Sequence, residues 1–263
     1  EEEQANRRRK QQLWQWYRDN GLKEDFSLDL SRLNHTIASL LSEYYEAEGS
    51  RLSYEHFINR MSFWMATGSG KTLVIVKLIE LLARLIWRNE VPPCDILFLT
   101  YRDDLIEQLK RHVEEFNRVR GDFHIVLRNL KEYPTVKRET PSLFREQEVT
   151  IFYYRSDNLS DEQKEKIVDF RNYDNDGRWF VLLDEAHKGD REDSKCQHIY
   201  SILSRNGFLF NFSATFTDPR DIATTVFNFN LSEYISKGYG KHLLVLQQEM
   251  RAFRDEEDYT GEE

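Results

Sequence analysis

The chain has 263 residues, of which 40% are hydrophobic and 13% aromatic, enough for a globular protein with a large buried core. Its formal net charge of −9 argues against a broad basic surface that would bind polyanions non-specifically, although a narrow basic surface remains compatible with it. The sequence has no long apolar run, no signal-peptide pattern and only two distant cysteines, which argues against a membrane span or membrane partner, a secretory leader, a disulfide framework and a zinc site, and favours a cytoplasmic protein.

The first part of the chain is predicted to be a helical extension, residues 1–54. One amphipathic pattern starts near Gln11, and a second runs from Leu30 to Tyr45. Helices of this kind pack their apolar face on a neighbouring domain. The chain starts at Glu1 rather than Met, which is typical of a fragment.

A glycine-rich turn follows, between an apolar strand at 61–65 and a long amphipathic helix that starts at Lys71. Glycines 68 and 70 allow successive backbone amides to point into one concavity, and the helix N-terminus adds positive potential. A triphosphate fits such a concavity, with Lys71 reaching its β- and γ-phosphates and the Thr72 hydroxyl binding Mg²⁺. We therefore predict ATP and Mg²⁺ as cofactors. The nucleotide-binding residues are predicted to be Thr67, Gly68, Ser69, Gly70, Lys71 and Thr72.

Two observations leave alternatives open at this turn. Met65 occupies the first position of the usual GxxxxGK[ST] pattern, where glycine is expected, so a solvated Gly/Ser turn is the simpler alternative. The strand before the turn and the helix after it favour phosphate binding. Aromatic and glutamine side chains upstream of such a loop can hold adenine, but aromatic residues at helical spacing are typical of a core stripe. The adenine candidates are Gln12, Trp14, Gln15 and Trp16.

Beyond this helix, apolar runs of strand length alternate with helical patterns. Strands are predicted at 95–100, 123–127, 149–154, 179–183 and 208–212. Helices are predicted at 103–120, from Ser160 with Gln163 in capping-box spacing, and from Ser194 with Gln197, whereas residues 130–148 read as a polar, irregular loop. This alternation predicts an α/β fold, with a mostly parallel sheet and helices on both faces.

An acidic motif, Asp184-Glu185-Ala186-His187, directly follows the 179–183 strand. The carboxyl end of a parallel strand is where such folds place their sites. Asp184 is suited to bind Mg²⁺, and Glu185 to orient and deprotonate the water that attacks the γ-phosphate, so Lys71, Asp184 and Glu185 are the predicted catalytic residues. Adjacent carboxylates repel unless a cation lies beside them, which favours a metal site over the alternative of an acidic surface turn.

A third motif, Ser213-Ala214-Thr215, follows the 208–212 strand. The hydroxyls of Ser213 and Thr215 can hydrogen-bond to His187 or to the acidic motif, which would couple nucleotide state to neighbouring structure. A helix cap is the simpler alternative.

In this order, MATGSGKT (65–72), DEAH (184–187) and SAT (213–215) resemble motifs I, II and III of superfamily 2 helicases and translocases. The segment TYRDDLIEQ (100–108) is similar to motif Ia, which contacts the nucleic-acid backbone in that family. The resemblance implies strand contacts by Thr100 and Arg102, although Arg102 is equally suited to a solvated helix start. FWMATGSGKT and the tail at 212–218 and 228–241 look most like the ATP-dependent Res subunits of type III restriction enzymes.

The resemblance implies a RecA-like P-loop NTPase lobe at 55–245, followed by an acidic connector at 246–263 towards a second lobe. In the family that second lobe supplies an arginine finger in a QxxGRxxR-like motif, which does not follow Thr215. We therefore expect slow turnover by this chain alone. The implied partners are nucleic acid, expected to be duplex DNA, the second RecA-like lobe, and a methyltransferase or nuclease partner in a restriction or defence system.

Three alternatives stay open at this point. An RNA helicase would use the same core. A P-loop ATPase of another class, such as a transporter motor, predicts an LSGGQ-like signature that the sequence lacks. An inactive ATP-binding or scaffolding module is the third, and the presence of Lys71, Thr72, Asp184 and Glu185 counts against it.

Overall fold

The computed structural model describes residues 2–22, 27–140, 142–145, 147–185 and 195–239. Within them the helices are α1 (Glu2–Asp19), α2 (His35–Tyr44), α3 (Lys71–Trp87), α4 (Asp103–Val119), α5 (Tyr133–Glu139), α6 (Lys195–Leu203), α7 (Pro219–Ala223) and α8 (Leu231–Ser236). The strands are β1 (Ser27–Asp29), β2 (Arg51–Ser53), β3 (Arg60–Met65), β4 (Asp95–Thr100), β5 (His124–Asn129), β6 (Phe144–Arg145), β7 (Glu148–Arg155), β8 (Leu159–Ser160), β9 (Val168–Asp169), β10 (Trp179–Asp184), β11 (Phe208–Ser213) and β12 (Thr225–Phe229). None of the described helices is both long and apolar enough to cross a bilayer.

The main sheet of the described residues has the strand order β12-β3-β11-β10-β4-β7-β5, and every neighbouring pair along it is parallel. The short β6 joins this sheet by antiparallel pairing with β7, and β1 and β2 form a separate antiparallel pair. The register places Asp184 of β10 level with Phe212 of β11, which is in turn level with Phe63 of β3. The predicted α/β fold with a mostly parallel sheet is confirmed.

Strand β10 shows why the apolar runs form buried central strands. Its side chains alternate between the two sheet faces, as the pleat requires. Trp179, Val181 and Leu183 pack into one apolar core, whereas Phe180 and Leu182 pack into another on the opposite face. A strand covered on both faces has no polar side to show, and the sequence is therefore continuously hydrophobic there.

Helices cover both faces of the sheet, as predicted. The face of Phe180 is covered by α3 and α4, through Ile75, Ile79 and Leu109 among others. The opposite face is covered by α1, α2, α5 and α6, and their contributions to that core include Tyr17, Leu41, Tyr133 and Ile199.

The N-terminal helix α1 lies at the amino end of β3. The Tyr17 hydroxyl donates to the carbonyl oxygen of Arg60 (3.3 Å), and Lys10 Nζ donates to the carbonyl oxygen of His56 (3.0 Å). The predicted extension and the sheet thus share one core, and the boundary predicted after residue 54 falls at the start of the 3₁₀ turn Tyr54–Phe57. The division into three segments stays a prediction.

Two sequence predictions are corrected in the middle of the chain. Ser160 does not open a helix: it ends β8, which pairs with β9. Gln163 Nε2 donates to the carbonyl oxygen of Ile167 (3.0 Å) and Gln163 Oε1 accepts from the amide of Asp169 (3.2 Å), so its side chain closes the intervening loop instead of capping a helix. The predicted helix after Ser194 does form as α6, although Ser194 itself lies outside the described residues.

The predicted loop at 130–148 also contains regular structure, α5 and β6. Buried Asp95, the first residue of β4, holds α5 on the sheet. Its Oδ2 accepts hydrogen bonds from the Tyr133 hydroxyl (2.9 Å) and from Lys137 Nζ (2.6 Å). Both hydrogen bonds join α5 to a strand that is distant in sequence, so the local sequence pattern does not indicate that a helix forms here.

A buried charge network joins β3 to α7. Arg60 Nη1 lies 3.1 Å from Asp221 Oδ1, with the two side chains 3% and 0% exposed. Arg60 Nη2 also donates to Ser201 Oγ (2.9 Å), and Asn211 Nδ2 donates to Asp221 Oδ1 (2.7 Å). Removing one charge from such a network leaves the other buried without its counter-ion.

We expect Arg60→Met to lower the free energy of unfolding by about 3–5 kcal/mol, measured by urea denaturation. The matched control is Arg88→Ala, because Arg88 and Glu90 form an exposed pair at 3.8 Å, for which the expected loss is below about 1 kcal/mol. The double variant Arg60→Met/Asp221→Leu should recover much of the loss. Equal losses for Arg60→Met and Arg88→Ala would contradict the assigned importance of the buried pair.

Candidate functional site

The glycine-rich turn directly follows the carboxyl end of β3. The Ala66 amide donates to the carbonyl oxygen of Phe229 on β12 (2.9 Å), and the Ser69 amide donates to the carbonyl oxygen of Ala66 (3.1 Å). Gly68 and Gly70 have φ values of +80° and +91°, a left-handed conformation that residues with a Cβ adopt only at a cost. The sequence therefore folds here into the tight turn that the two glycines predicted.

Helix α3 starts at this turn. Gly70 caps it without a side chain, and its carbonyl oxygen accepts from the amides of Leu73 (3.0 Å) and Val74 (3.2 Å). Lys71 and Thr72 occupy the first turn and are both buried. Within the described part of the chain, Ser69 Oγ is buried and has no hydrogen-bond partner. The turn at the helix N-terminus therefore has no Cβ at positions 68 and 70 and carries buried polar groups at positions 69, 71 and 72, which suits it to bind an anion.

Lys71 meets the acidic motif across the sheet. Its Nζ lies 3.4 Å from Glu185 Oε1, with the two side chains 10% and 18% exposed. Strands β3 and β10 are separated only by β11, a spacing of about 10 Å between their backbones. The structure thus brings together Lys71, Asp184 and Glu185, which the sequence had placed in one site.

Asp184, the last residue of β10, is almost fully buried. Burial raises the pKa of its carboxyl group to about 6; the nearby Lys71 charge opposes this shift and the Glu185 carboxylate adds to it. Among the described residues, Asp184 Oδ1 has no hydrogen-bond partner. A buried, unpartnered carboxylate oxygen fits a cation, because a cation offsets the cost of keeping that charge away from water.

Glu185 has a φ of +63°, which is left-handed and unusual for a residue with a long side chain. Such backbone strain costs on the order of 1–3 kcal/mol and persists where the surrounding structure fixes it, often at functional sites. In this conformation the Glu185 carboxylate is directed to Lys71.

The Ser213 motif forms a tight turn after β11. Ser213 Oγ donates to the carbonyl oxygen of Thr215 (2.6 Å) and accepts from the Thr215 amide (3.2 Å). Trp64 Nε1 of β3 donates to the carbonyl oxygen of Ala214 (2.9 Å). His187 lies outside the described residues, so its predicted coupling to Ser213 and Thr215 stays a prediction.

The two predicted strand contacts differ in accessibility. Thr100 is fully buried at the end of β4, so its side chain offers no surface to a partner. Arg102 is exposed and forms an ion pair with Asp104, whose hydrogen bond is the main factor that raises the pKa of the guanidinium. Arg102 is therefore accessible, but at present it is bound to its own helix start.

A further cation at this edge is Arg155, at the end of β7. It forms ion pairs with Asp103 (2.7 Å) and Asp157 (2.5 Å) and lines a cavity of about 300 Å³ together with Lys110. The sequence indicated its position after a strand, but Tyr153-Tyr154-Arg155-Ser156 matches no motif closely. Its proximity to Asp103 depends on the pairing of β4 with β7.

The aromatic residues of α1 lie away from the glycine-rich turn. Trp14 packs edge-on against Tyr54 at a ring distance of 6.1 Å, and Tyr17 is bonded to the first residue of β3. The turn follows the last residue of that strand, about 16 Å further along it. This placement favours the core and surface roles of Trp14 and Trp16 over contact with adenine.

Among the described residues, no group of three or more His, Cys, Asp or Glu side chains is arranged to hold a metal ion. Mg²⁺ at nucleotide sites is typically held by one or two protein oxygens together with phosphate oxygens and water. Thr72 and Asp184 are a donor set of that kind.

The parallel sheet, its strand order and the glycine-rich turn between β3 and α3 define a RecA-like α/β lobe. The chain belongs to the family of type III restriction enzyme res subunits, whose family model matches residues 34–218, more than two thirds of the sequence. The matched family model is that of a helicase superfamily 2 ATPase domain. This match confirms the family resemblance of the motifs. No match was found among curated protein sequences.

We expect Gly70→Ala to lower the free energy of unfolding by about 1–2 kcal/mol, because alanine is strained at this φ. No atom lies within 4 Å of the added Cβ, so the loss would come from the backbone alone. Gly121→Ala is the control, since its Cβ also meets open space and its φ is not left-handed; it should be neutral or stabilising by up to about 1 kcal/mol. Thermal and urea denaturation would show whether the change in the free energy of unfolding has opposite signs in the two variants.

Proposed function

We propose that this chain is the ATP-binding lobe of a nucleic-acid-dependent motor of a restriction or defence system, acting on duplex DNA. The observation that supports this most strongly is the meeting of Lys71 and Glu185 at 3.4 Å, beside buried Asp184 and at the N-terminus of α3. A lysine, a base and a metal-binding carboxylate at one helix N-terminus are the parts that phosphoryl transfer to water requires.

In this proposal the loop residues Thr67 to Thr72 bind the phosphates. The backbone amides of Gly68 and Gly70 would donate to phosphate oxygens, and the Ser69 amide would first have to leave the Ala66 carbonyl oxygen. The α3 N-terminus adds its partial positive charge. Lys71 leaves its ion pair with Glu185 to bind the terminal phosphates. Because Lys71 is nearly buried, its charge acts with little screening by solvent.

The residues that would hold Mg²⁺ are Thr72, through its hydroxyl, and Asp184, through the oxygen that has no partner among the described residues. Mg²⁺ in such a site neutralises charge on the phosphates. Asp184 stays ionised there because the cation offsets the burial that otherwise raises its pKa.

Glu185 is the proposed general base. Once Lys71 turns to the phosphates, the Glu185 carboxylate is released to orient a water molecule and accept its proton. The strained backbone of Glu185 directs this carboxylate to Lys71, where the terminal phosphate is proposed to lie. The change in the contacts of Glu185 is proposed to reach the neighbouring structure through Ser213, Thr215 and His187.

Nucleic acid is proposed to lie along the edge where β4 and β7 end. Arg102 and Arg155 are exposed there in part, and each would exchange an intramolecular carboxylate for a backbone phosphate. A local basic site of this kind is compatible with a net charge of −9, since charges act mainly within about 8–10 Å at moderate salt.

Stepping along the strand is proposed to need a second RecA-like lobe, which 246–263 would connect. That lobe would supply the arginine that stabilises the transition state, and closure of the cleft on ATP would alternate the grip on the strand. A methyltransferase or nuclease partner would set where the motor acts. We therefore expect the 263-residue chain alone to hydrolyse ATP slowly.

We expect Lys71→Ala to weaken ATP binding by about 10–100-fold, because it removes a charge-assisted hydrogen bond to phosphate. Lys77→Ala is the control: Lys77 lies on the same helix, but its side chain is 63% exposed and pairs with Glu80. Isothermal titration with Mg²⁺ and ATP measures both. If the two variants bind ATP equally well, Lys71 does not contact the nucleotide.

We expect Glu185→Gln to reduce hydrolysis by about 10²–10⁴-fold, because the amide cannot accept the proton, while ATP binds as well or more tightly since Lys71 loses its competing partner. Hydrolysis is measured for the chain and for the two-lobed motor proposed to contain it, without polynucleotide and with duplex DNA, single-stranded DNA or RNA.

Stimulation of hydrolysis by duplex DNA that disappears in Glu185→Gln supports the proposal. Stimulation by RNA alone indicates an RNA helicase, and no stimulation argues for a binding module without a nucleic-acid partner.

A further inference from the structure

Three aromatic rings follow the edge strand β12. Phe229 ends that strand, and Tyr234 and Tyr239 come from α8 and the turn after it. The ring centroid of Phe229 lies 5.8 Å from that of Tyr234 and 6.0 Å from that of Tyr239, and the two tyrosine rings stack at 5.8 Å with an interplanar angle of 29°. We call these three residues the aromatic cluster.

The aromatic cluster lies directly against the glycine-rich turn. The carbonyl oxygen of Phe229 accepts from the Ala66 amide at 2.9 Å. The Tyr234 hydroxyl lies 3.7 Å from the position that a Cβ on Gly68 would occupy. The cluster therefore borders the predicted phosphate site on the side of β12.

The ion pair of Lys71 with Glu185 indicates which way a bound nucleotide would point. Glu185 directly follows β10, on one side of β3, whereas Phe229 ends β12, on the other side. The terminal phosphate must lie near Lys71 and Glu185 for water to attack it. The nucleoside then extends from the opposite end of the phosphates, towards β12 and the aromatic cluster.

We propose that Tyr234 and Tyr239 form the stacking platform for the nucleobase of the bound nucleotide, with Phe229 holding the two rings in place. This rests on the proposed ATP-binding function and adds the base-binding residues to it. The cluster lies beyond residues 34–218, the part of the chain that matches the family model. The family match therefore does not by itself assign it a role.

Exposure and chemistry support this assignment. Tyr239 is 67% exposed, so its ring offers surface to a ligand. Base–aromatic stacking is favourable for every base, because each base has a π face. Tyr234 remains partly buried between the other two rings and the turn.

The test compares a ligand that carries a nucleoside, ADP, with a phosphate ligand that carries none, inorganic tripolyphosphate, each with Mg²⁺ and each titrated into the full chain by calorimetry. Each variant is compared with the unchanged chain for the same ligand. Tyr239→Ala and Tyr234→Leu should each weaken ADP binding by roughly tenfold and leave tripolyphosphate binding unchanged within about twofold. Tyr239→Phe and Tyr234→Phe keep the rings and should keep ADP affinity. Trp16→Ala is the control for an exposed aromatic, at 52% exposure, on α1 at the other end of β3.

Other outcomes would contradict the proposal that these rings bind the base. If Tyr239→Ala and Tyr234→Leu leave ADP affinity unchanged, or weaken both ligands equally, the rings do not bind the base. Loss of ADP affinity in Trp16→Ala, without loss in the tyrosine variants, would place the base on α1. Lys71→Ala separates this failure from failure of the proposed function: it should weaken both ligands, and if it weakens neither, the phosphate site itself is wrong.

Discussion

The parallel register of β3, β11 and β10 is the constraint on which the candidate site depends. Phe63, Phe212 and Asp184 are level across the three strands, so all three chains leave the sheet at one edge. The glycine-rich turn and the acidic motif, more than a hundred residues apart in sequence, therefore come within reach of one lysine side chain. A shift of one strand by one residue would turn its apolar side chains to the wrong faces, so the two hydrophobic cores fix this register.

The site concentrates unfavourable features that the sheet holds in place. Asp184 is buried with a raised pKa, Glu185 has a left-handed backbone, and Lys71 is nearly buried beside them. Each feature costs stability by itself. Their combination is consistent with a site whose electrostatic balance is completed by phosphates and a cation, because a triphosphate engages Lys71 and a cation engages Asp184.

The strands were predictable because a central parallel strand is buried on both faces and reads as one apolar run, as 179–183 does. The turn at Gly68 and Gly70 and the acidic pair were predictable because their chemistry is local. The Ser160 region was predicted wrongly because Gln163 bonds across a loop to Asp169, and a capping pattern does not reveal that. Helix α5 was missed because Asp95 holds it from another strand. Edge strand β12 was missed because its middle residues are exposed and lack the apolar run.

Buried charged side chains have different sets of partners at the two ends of the sheet. At the amino end, Arg60 is bound by Asp221 and Ser201, and Asp95 by Tyr133 and Lys137, so these charges have their partners within the protein. At the carboxyl end, Asp184 keeps one oxygen without a hydrogen bond among the described residues. Buried polar atoms are nearly always paired in folded proteins. Asp221 Oδ2 at the amino end also lacks a hydrogen bond among the described residues, but the Asp221 carboxylate is held by Arg60 at 3.1 Å. Asp184 differs because burial outweighs the nearby Lys71 charge and raises its pKa, and this difference favours the carboxyl end as the binding end.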